Sequence, residues 1–255
     1  MSSFALRFLA LFCMFVDHAG LALFPNVGVF RCIGRLAFPL FCFLVTQGVL
    51  HTHDLRAYGR RLALLALLSE IPFDLLTFGR ISSSIEQNGA FSLLLGLLAV
   101  YGARALKKQP LHITLYAFTL CMIAMSLRVS FGWLSIVLCL CFYYFRERKL
   151  LLSVCCSAIL LIYSLSLYLS GVMISWAMVS LCSFLSLPFI LLYNKKRGPR
   201  TPLLAVLFYL AYPLHRASCL SPVLFPGDAG RPAYARSSRL WPKACAACPP
   251  VRNPV

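Results

Sequence analysis

Apolar runs of about the length needed to cross a bilayer recur from one end of this chain to the other, and no other feature limits its fold so tightly. A hydrocarbon core about 30 Å thick needs roughly 20 apolar residues per helix. Runs at 4–24, 29–50, 58–79, 89–106, 110–127, 129–145, 149–169, 171–193 and 202–215 reach or approach that length, the ninth being short. Lipid offers backbone N–H and C=O groups no partners, so each run must satisfy its own as a helix. The expected fold is therefore all-α, a polytopic transmembrane helix bundle of eight or nine spans. With 60% hydrophobic and 12% charged residues, the sequence shows no soluble domain and no internal repeat. The first run carries Asp17 and His18, lacks a preceding basic stretch and is followed by further runs. It reads as a retained span rather than a cleaved signal peptide.

A formal net charge of +17 would point a soluble protein toward nucleic acid, but here the distribution points to topology. Arg7 and the connectors at 51–61, 104–109, 146–149 and 194–200 carry fourteen Lys and Arg, against Arg31, Arg35, Arg80 and Arg128 on the other side. By the positive-inside rule the N-terminus is cytoplasmic, in a bacterial inner membrane, and membrane lipid rather than nucleic acid is the expected partner. Nine of the twelve cysteines lie in the runs, where they read as small apolar side chains. Cys245 and Cys248 form a lone C-x-x-C with no second pair or nearby histidine, so no metal site is expected.

Ionisable residues inside a span cost a few kcal/mol and by default mark a substrate path, a proton relay or an active site. In the N-in orientation His18 and Asp17 lie about 9 and 10 Å below the outer end of the first helix. Arg31 and Arg35 stand one turn apart near the outer end of the second. Glu70 and Asp74, again one turn apart, occupy the outer half of the third, with Pro72 between them expected to kink it. Arg31 or Arg35 is the expected partner of these carboxylates, since like charges at that spacing share a proton or find a cation. Asn88 follows in an outer connector and His215 toward the outer end of the last run. A purely structural ionic network explains Arg31 and Asp74 well. It explains His18 less well, because Asn or Ser would serve a neutral core hydrogen bond.

Five segments taken together resemble one family: RFLALFCMFVDHAGLALFP at 7–25, IGRLAFPLF at 33–41, YGRRLALLALLSEIPFDLL at 58–76, NGAFSLLLGLL at 88–98 and FYLAYPLH at 208–215. The chain resembles the TraX family, whose founding activity is N-terminal acetylation of a conjugative pilin, and a wider group of membrane acyltransferases that use acyl-CoA. The resemblance implies acetyl-CoA as donor and a pilin or another cell-envelope acceptor at the outer face. It then casts His18 as the base that deprotonates the amine or as a covalent acyl carrier, and Arg35 as a stabiliser of the oxyanion. Asp17 pairs with an arginine on another helix, because adjacent helical residues point about 100° apart. Glu70, Asp74, Arg31 and Asn88 shape the acceptor cavity, and His215 closes it. Arg104, Lys107 and Lys108 are candidates for the CoA phosphates, against the competing reading that they set topology and touch anionic lipid.

Residues 1–215 form the transmembrane domain. Beyond His215 the chain turns rich in Pro, Arg, Ala and Cys, which we read as an atypical tail at 216–255, disordered or the product of a shifted reading frame. Two other functions fit the intramembrane charges. A transporter or proton-coupled channel would require paired broken helices, and the apolar runs show no such pair. A non-catalytic scaffold of a conjugation or pilus apparatus would require more extramembrane surface than these connectors provide.

Overall fold

A computed structural model of the 255-residue chain describes residues 1–24, 27–78, 85–106, 109–171, 174–196, 198–199, 207–208, 210–212 and 214. The described segments fold as α1 (Ser3–Leu23), α2 (Gly28–Arg35), α3 (Ala37–His51), α4 (Leu55–Phe78), α5 (Gly89–Ala105), α6 (Pro110–Ser126), α7 (Leu134–Tyr144), α8 (Lys149–Leu169), α9 (Ile174–Leu181), a 3-10 turn (Cys182–Ser186) and α10 (Leu187–Leu191). Ser3–Gly20, Gly28–His51 and Lys149–Leu169 are each long and apolar enough to cross a bilayer. The all-helical membrane bundle expected from the sequence is the fold observed. Most of the short ninth run lies outside the described residues, as do the tail from His215 onward and most of the connector carrying Arg80.

Each helix buries one stripe. In α1 Leu6, Ala10, Cys13 and Met14 face inward while Phe8, Phe12 and Phe15 are more than half exposed. In α8 Leu152, Cys156, Leu160 and Ser164 are buried at strict four-residue spacing, and Val154, Leu161, Ile162 and Leu165 face out. The outward faces are as apolar as the inward ones. A water-soluble helix would be polar there, so the solvent for this surface is lipid. At the centre lies α3, buried along most of its length between α1, α5 and α7. Glycines allow the closest approaches: a side chain at Gly96 would collide with Cys139 of α7, and one at Gly48 with the Tyr58 ring.

The connectors sort to two ends. Ser3 N–H donates to the Lys196 carbonyl at 2.8 Å, and Asn194 N–H to the Met1 carbonyl at 2.9 Å. Lys195 pairs with Glu147 at 2.9 Å, holding that carboxyl below the usual carboxylate range, and Arg104 donates to the Val49 carbonyl at 3.1 Å. The N-terminus and the basic connectors thus share one end. At the other, residues 85–88 join 127–133 through a parallel bridge between Gln87 and Val129. Ser130 adds two hydrogen bonds to the Gln87 carbonyl, from N–H at 3.0 Å and from Oγ at 2.7 Å.

Two spans that read as continuous in sequence are broken. The second divides into α2 and α3 at Leu36, because Pro39 has no N–H for the carbonyl of Arg35 four residues before it. The eighth tightens into the 3-10 turn at Cys182–Ser186, where Pro188 likewise has no N–H for the carbonyl of Phe184. Each break falls eight residues, about 12 Å, from the end opposite the basic connectors. The two broken spans meet, α2 packing on α9 and on the 3-10 turn. At both breaks the joining residues Leu36, Leu181 and Leu187 keep right-handed helical backbone angles, so each is a one-turn interruption within a continuing helical span rather than an unwound stretch. By contrast α4 runs through Pro72 as one helix.

Candidate functional site

Asp17 and Arg31 make the defining contact between α1 and α2. Arg31 Nη1 donates to Asp17 Oδ1 at 2.9 Å, with both side chains about four-fifths buried. Asp17 therefore does look to an arginine on another helix. Gly34, one turn beyond Arg31, makes room for it: a Cβ there would stand 2.3 Å from the Asp17 carboxyl carbon. In a low dielectric an ion pair of this kind costs desolvation that only good geometry offsets, so its close fit matters.

Beside this pair lies a cavity of about 40 Å³. Asp17, Gly34 and Arg35 bring to it the end of α2, while Ser180 and Ser183 come from the second broken span. Tyr163 of α8 completes the polar wall, and Phe38, Phe131 and Leu134 form the apolar one. The Phe38 and Phe131 rings stack with centroids 3.5 Å apart, and Ser92 Oγ accepts the Phe131 N–H at 3.3 Å. The Trp133 ring meets Tyr163 edge to face at 5.7 Å. The Ser183 and Tyr163 hydroxyls make no hydrogen bond among the described residues. A polar cavity of this size has room for water or for a group of a few atoms.

A second polar cluster joins α4 to α5. Asn88, fully buried, accepts the Ala90 N–H at 2.9 Å as the N-cap of α5, and its Nδ2 donates to the Ala66 carbonyl at 2.8 Å. Glu70 Oε2 accepts from both Asn88 Nδ2 and, at 3.3 Å, the Asn88 N–H. The carboxylate thereby sits at the positive end of the α5 dipole. Asp74, one turn along α4, is 1% exposed. Of the two arginines offered to Glu70 and Asp74 by the sequence, Arg31 also engages Asp17.

The sequence-derived candidates divide accordingly. Asp17, Arg31 and Arg35 come together, and Glu70 and Asn88 form the second cluster. His18 is half-buried on α1 and is not among the residues lining the cavity. Arg104 closes the basic end of α3 through the Val49 carbonyl. His215, Lys107 and Lys108 lie outside the described residues. Tyr163, Ser180 and Ser183 were not legible as site residues. The available signal was Pro188 in an apolar run whose serines recur every three residues at 180, 183 and 186.

The chain matches known proteins along most of its length. It is 29% identical over 239 residues to the probable fimbrial assembly protein FimC, serogroup H1, of Dichelobacter nodosus, covering 88% of this chain and 96% of that one. A 38-residue stretch, 15% of each chain, is 50% identical to the uncharacterized protein RP591 of Rickettsia prowazekii (strain Madrid E). No solved structure matches. The sequence model of the TraX protein family matches residues 2–220, and with that coverage this membrane protein belongs to the TraX family.

Proposed function

We propose that this protein is an integral membrane acyltransferase that carries an acetyl group from acetyl-CoA to an acceptor at the outer face of the bacterial inner membrane. The acceptor is the N-terminal amine of a pilin-like subunit, in keeping with the fimbrial assembly protein to which the chain is similar. The observation that carries the proposal is the cavity with polar and apolar lining beside Asp17 and Arg35, near the junction of α2 and α3. With the N-terminus cytoplasmic, the end away from the basic connectors is the outer one, and the basic connectors lie on the side where CoA is found.

An α-amino group has a pKa near 8 and attacks only when neutral. His18 takes its proton as the nitrogen adds to the thioester carbonyl carbon, Arg35 stabilises the developing oxyanion, and the carbon–sulfur bond breaks to release CoA thiol. Asp17 holds Arg31, and through the α1–α2 contact it sets the placement of Arg35. Glu70 and Asn88 fix α4 against α5 on the acceptor side.

The test is transfer of labelled acetyl from acetyl-CoA to a pilin N-terminal peptide in membranes containing the full chain. Wild type should label the peptide and His18→Ala should lose at least a hundredfold. Undiminished transfer by His18→Ala would remove that residue from the chemistry. A second reading is transport, raised by the ionisable residues Asp17, Arg31 and Arg35 inside the spans. Solute uptake in the absence of any acyl transfer would select it.

A further inference from the structure

The cavity has more hydrogen-bond donors than the contacts around it use. Tyr163 and Ser183 belong to different elements, α8 and the 3-10 turn, yet both line the same small space, and neither hydroxyl makes a hydrogen bond among the described residues. Ser183 is 92% buried. A hydroxyl that opens onto such a cavity gains a hydrogen bond from a bound oxygen, worth about 0.5–1.5 kcal/mol. Arg35, at the break between α2 and α3, brings a guanidinium to the same wall. Asp17, the acceptor on that wall, is already engaged by Arg31 at 2.9 Å. The facing wall of Phe38, Phe131 and Leu134 has only carbon to offer. Such a space suits a ligand with an acceptor oxygen on one side and a short apolar stub on the other.

Size narrows the class further. A water needs about 10–15 Å³ of such space, so about 40 Å³ admits roughly three non-hydrogen atoms. We infer that the cavity seats a two-carbon acyl group, its carbonyl oxygen received by Tyr163 and Ser183 together with Arg35, and its methyl against Leu134 and the Phe38–Phe131 stack. This deepens the acyltransfer reading and rests on it. Tyr163 and Ser183 are then catalytic residues, because the oxygen they receive carries the negative charge once the amine has added to the carbonyl carbon. That charge returns to re-form the C=O bond as the thiolate leaves. Leu134 sets chain length, since each added methylene would have to displace it or the stacked rings.

The test uses the full chain in detergent, with acetyl-, propionyl- and butyryl-CoA as donors. Tyr163→Phe and Ser183→Ala, both close in shape to the parent, should each lower kcat by tenfold or more with KM for acetyl-CoA little changed. Leu134→Ala, with Leu134→Val as the milder variant, should move the preference toward propionyl- or butyryl-CoA by about tenfold. Wild-type kcat in both hydroxyl variants, or an unchanged chain-length profile in both Leu134 variants, would overturn the inference. Binding of ¹³C-labelled acetate and butyrate, read by saturation-transfer NMR, separates the pocket from the reaction. If no donor is turned over but acetate binds, butyrate does not, and Ser183→Ala abolishes binding, the two-carbon pocket stands and acyl transfer falls. If neither turnover nor acetate binding is seen, both fall.

Discussion

At the residue scale, Asp17 has its importance through geometry that Gly34 permits. Arg31 and Asp17 are each about four-fifths buried and meet at 2.9 Å. Removing either breaks a largely buried ion pair, so Asp17→Ala or Arg31→Ala should each destabilise the protein by about 3 kcal/mol, whereas a paired replacement by Leu and Met should cost much less. Thermal unfolding of the three variants in one detergent measures the difference, and additive losses would show that the pair is not coupled. Gly34→Ala should act on the same contact from the other side. Its Cβ would overlap the Asp17 carboxyl, so the variant should lose stability comparable to breaking the pair and shift the binding of any ligand beside Arg35. Asp17 and the two arginines stood out in the sequence because charge inside an apolar run is conspicuous. Tyr163 and Ser183 did not, since tyrosine and serine are common in membrane helices and only convergence on one cavity distinguishes these two.

At the element scale, three prolines with the same chemistry have different consequences. Pro72 is carried within α4, while Pro39 and Pro188 accompany breaks that meet beside the cavity. Pro39→Ala restores an N–H for the Arg35 carbonyl and should favour a continuous α2–α3 helix. We expect equal or higher thermal stability together with at least a tenfold loss of transfer as Arg35 turns away from the cavity. Unchanged activity would mean that the break does not position Arg35. Asn88 serves elements too, capping α5 while tying it to Ala66 and Glu70 of α4. Asn88→Ala removes a cap worth about 1 kcal/mol and the amide hydrogen bonds to the Ala66 carbonyl and to Glu70, for a total of about 2–4 kcal/mol in an unfolding measurement. The helices themselves were legible run by run in the sequence. The breaks were not, because a proline in an apolar run is compatible with either a bend or an interruption, and packing against the partner element decides between them.

At the scale of the whole molecule, the connectors sort by charge. Lys195 on Glu147, Arg104 on Val49 and the N-terminus on residues 192–196 gather the basic segments at one end, with the Gln87–Val129 bridge at the other. An impermeant maleimide applied to intact cells should label a cysteine placed at Gln87 and spare one at Lys195; the reverse pattern would invert the proposed orientation. The class of solvent and the order of the apolar runs could be read from the sequence, because hydropathy is a local property summed over about twenty residues. The sequence also marked Asp17, Arg31, Arg35, Glu70 and Asn88 as polar groups needing partners, without saying which partner each would take. Only the tertiary structure decided that Asp17 takes Arg31, that Glu70 takes Asn88, and that two broken spans far apart in sequence share a cavity with Tyr163. Those choices depend on distances between helices, and in lipid such distances are set by steric fit at positions such as Gly34 and Gly96 rather than by any local pattern.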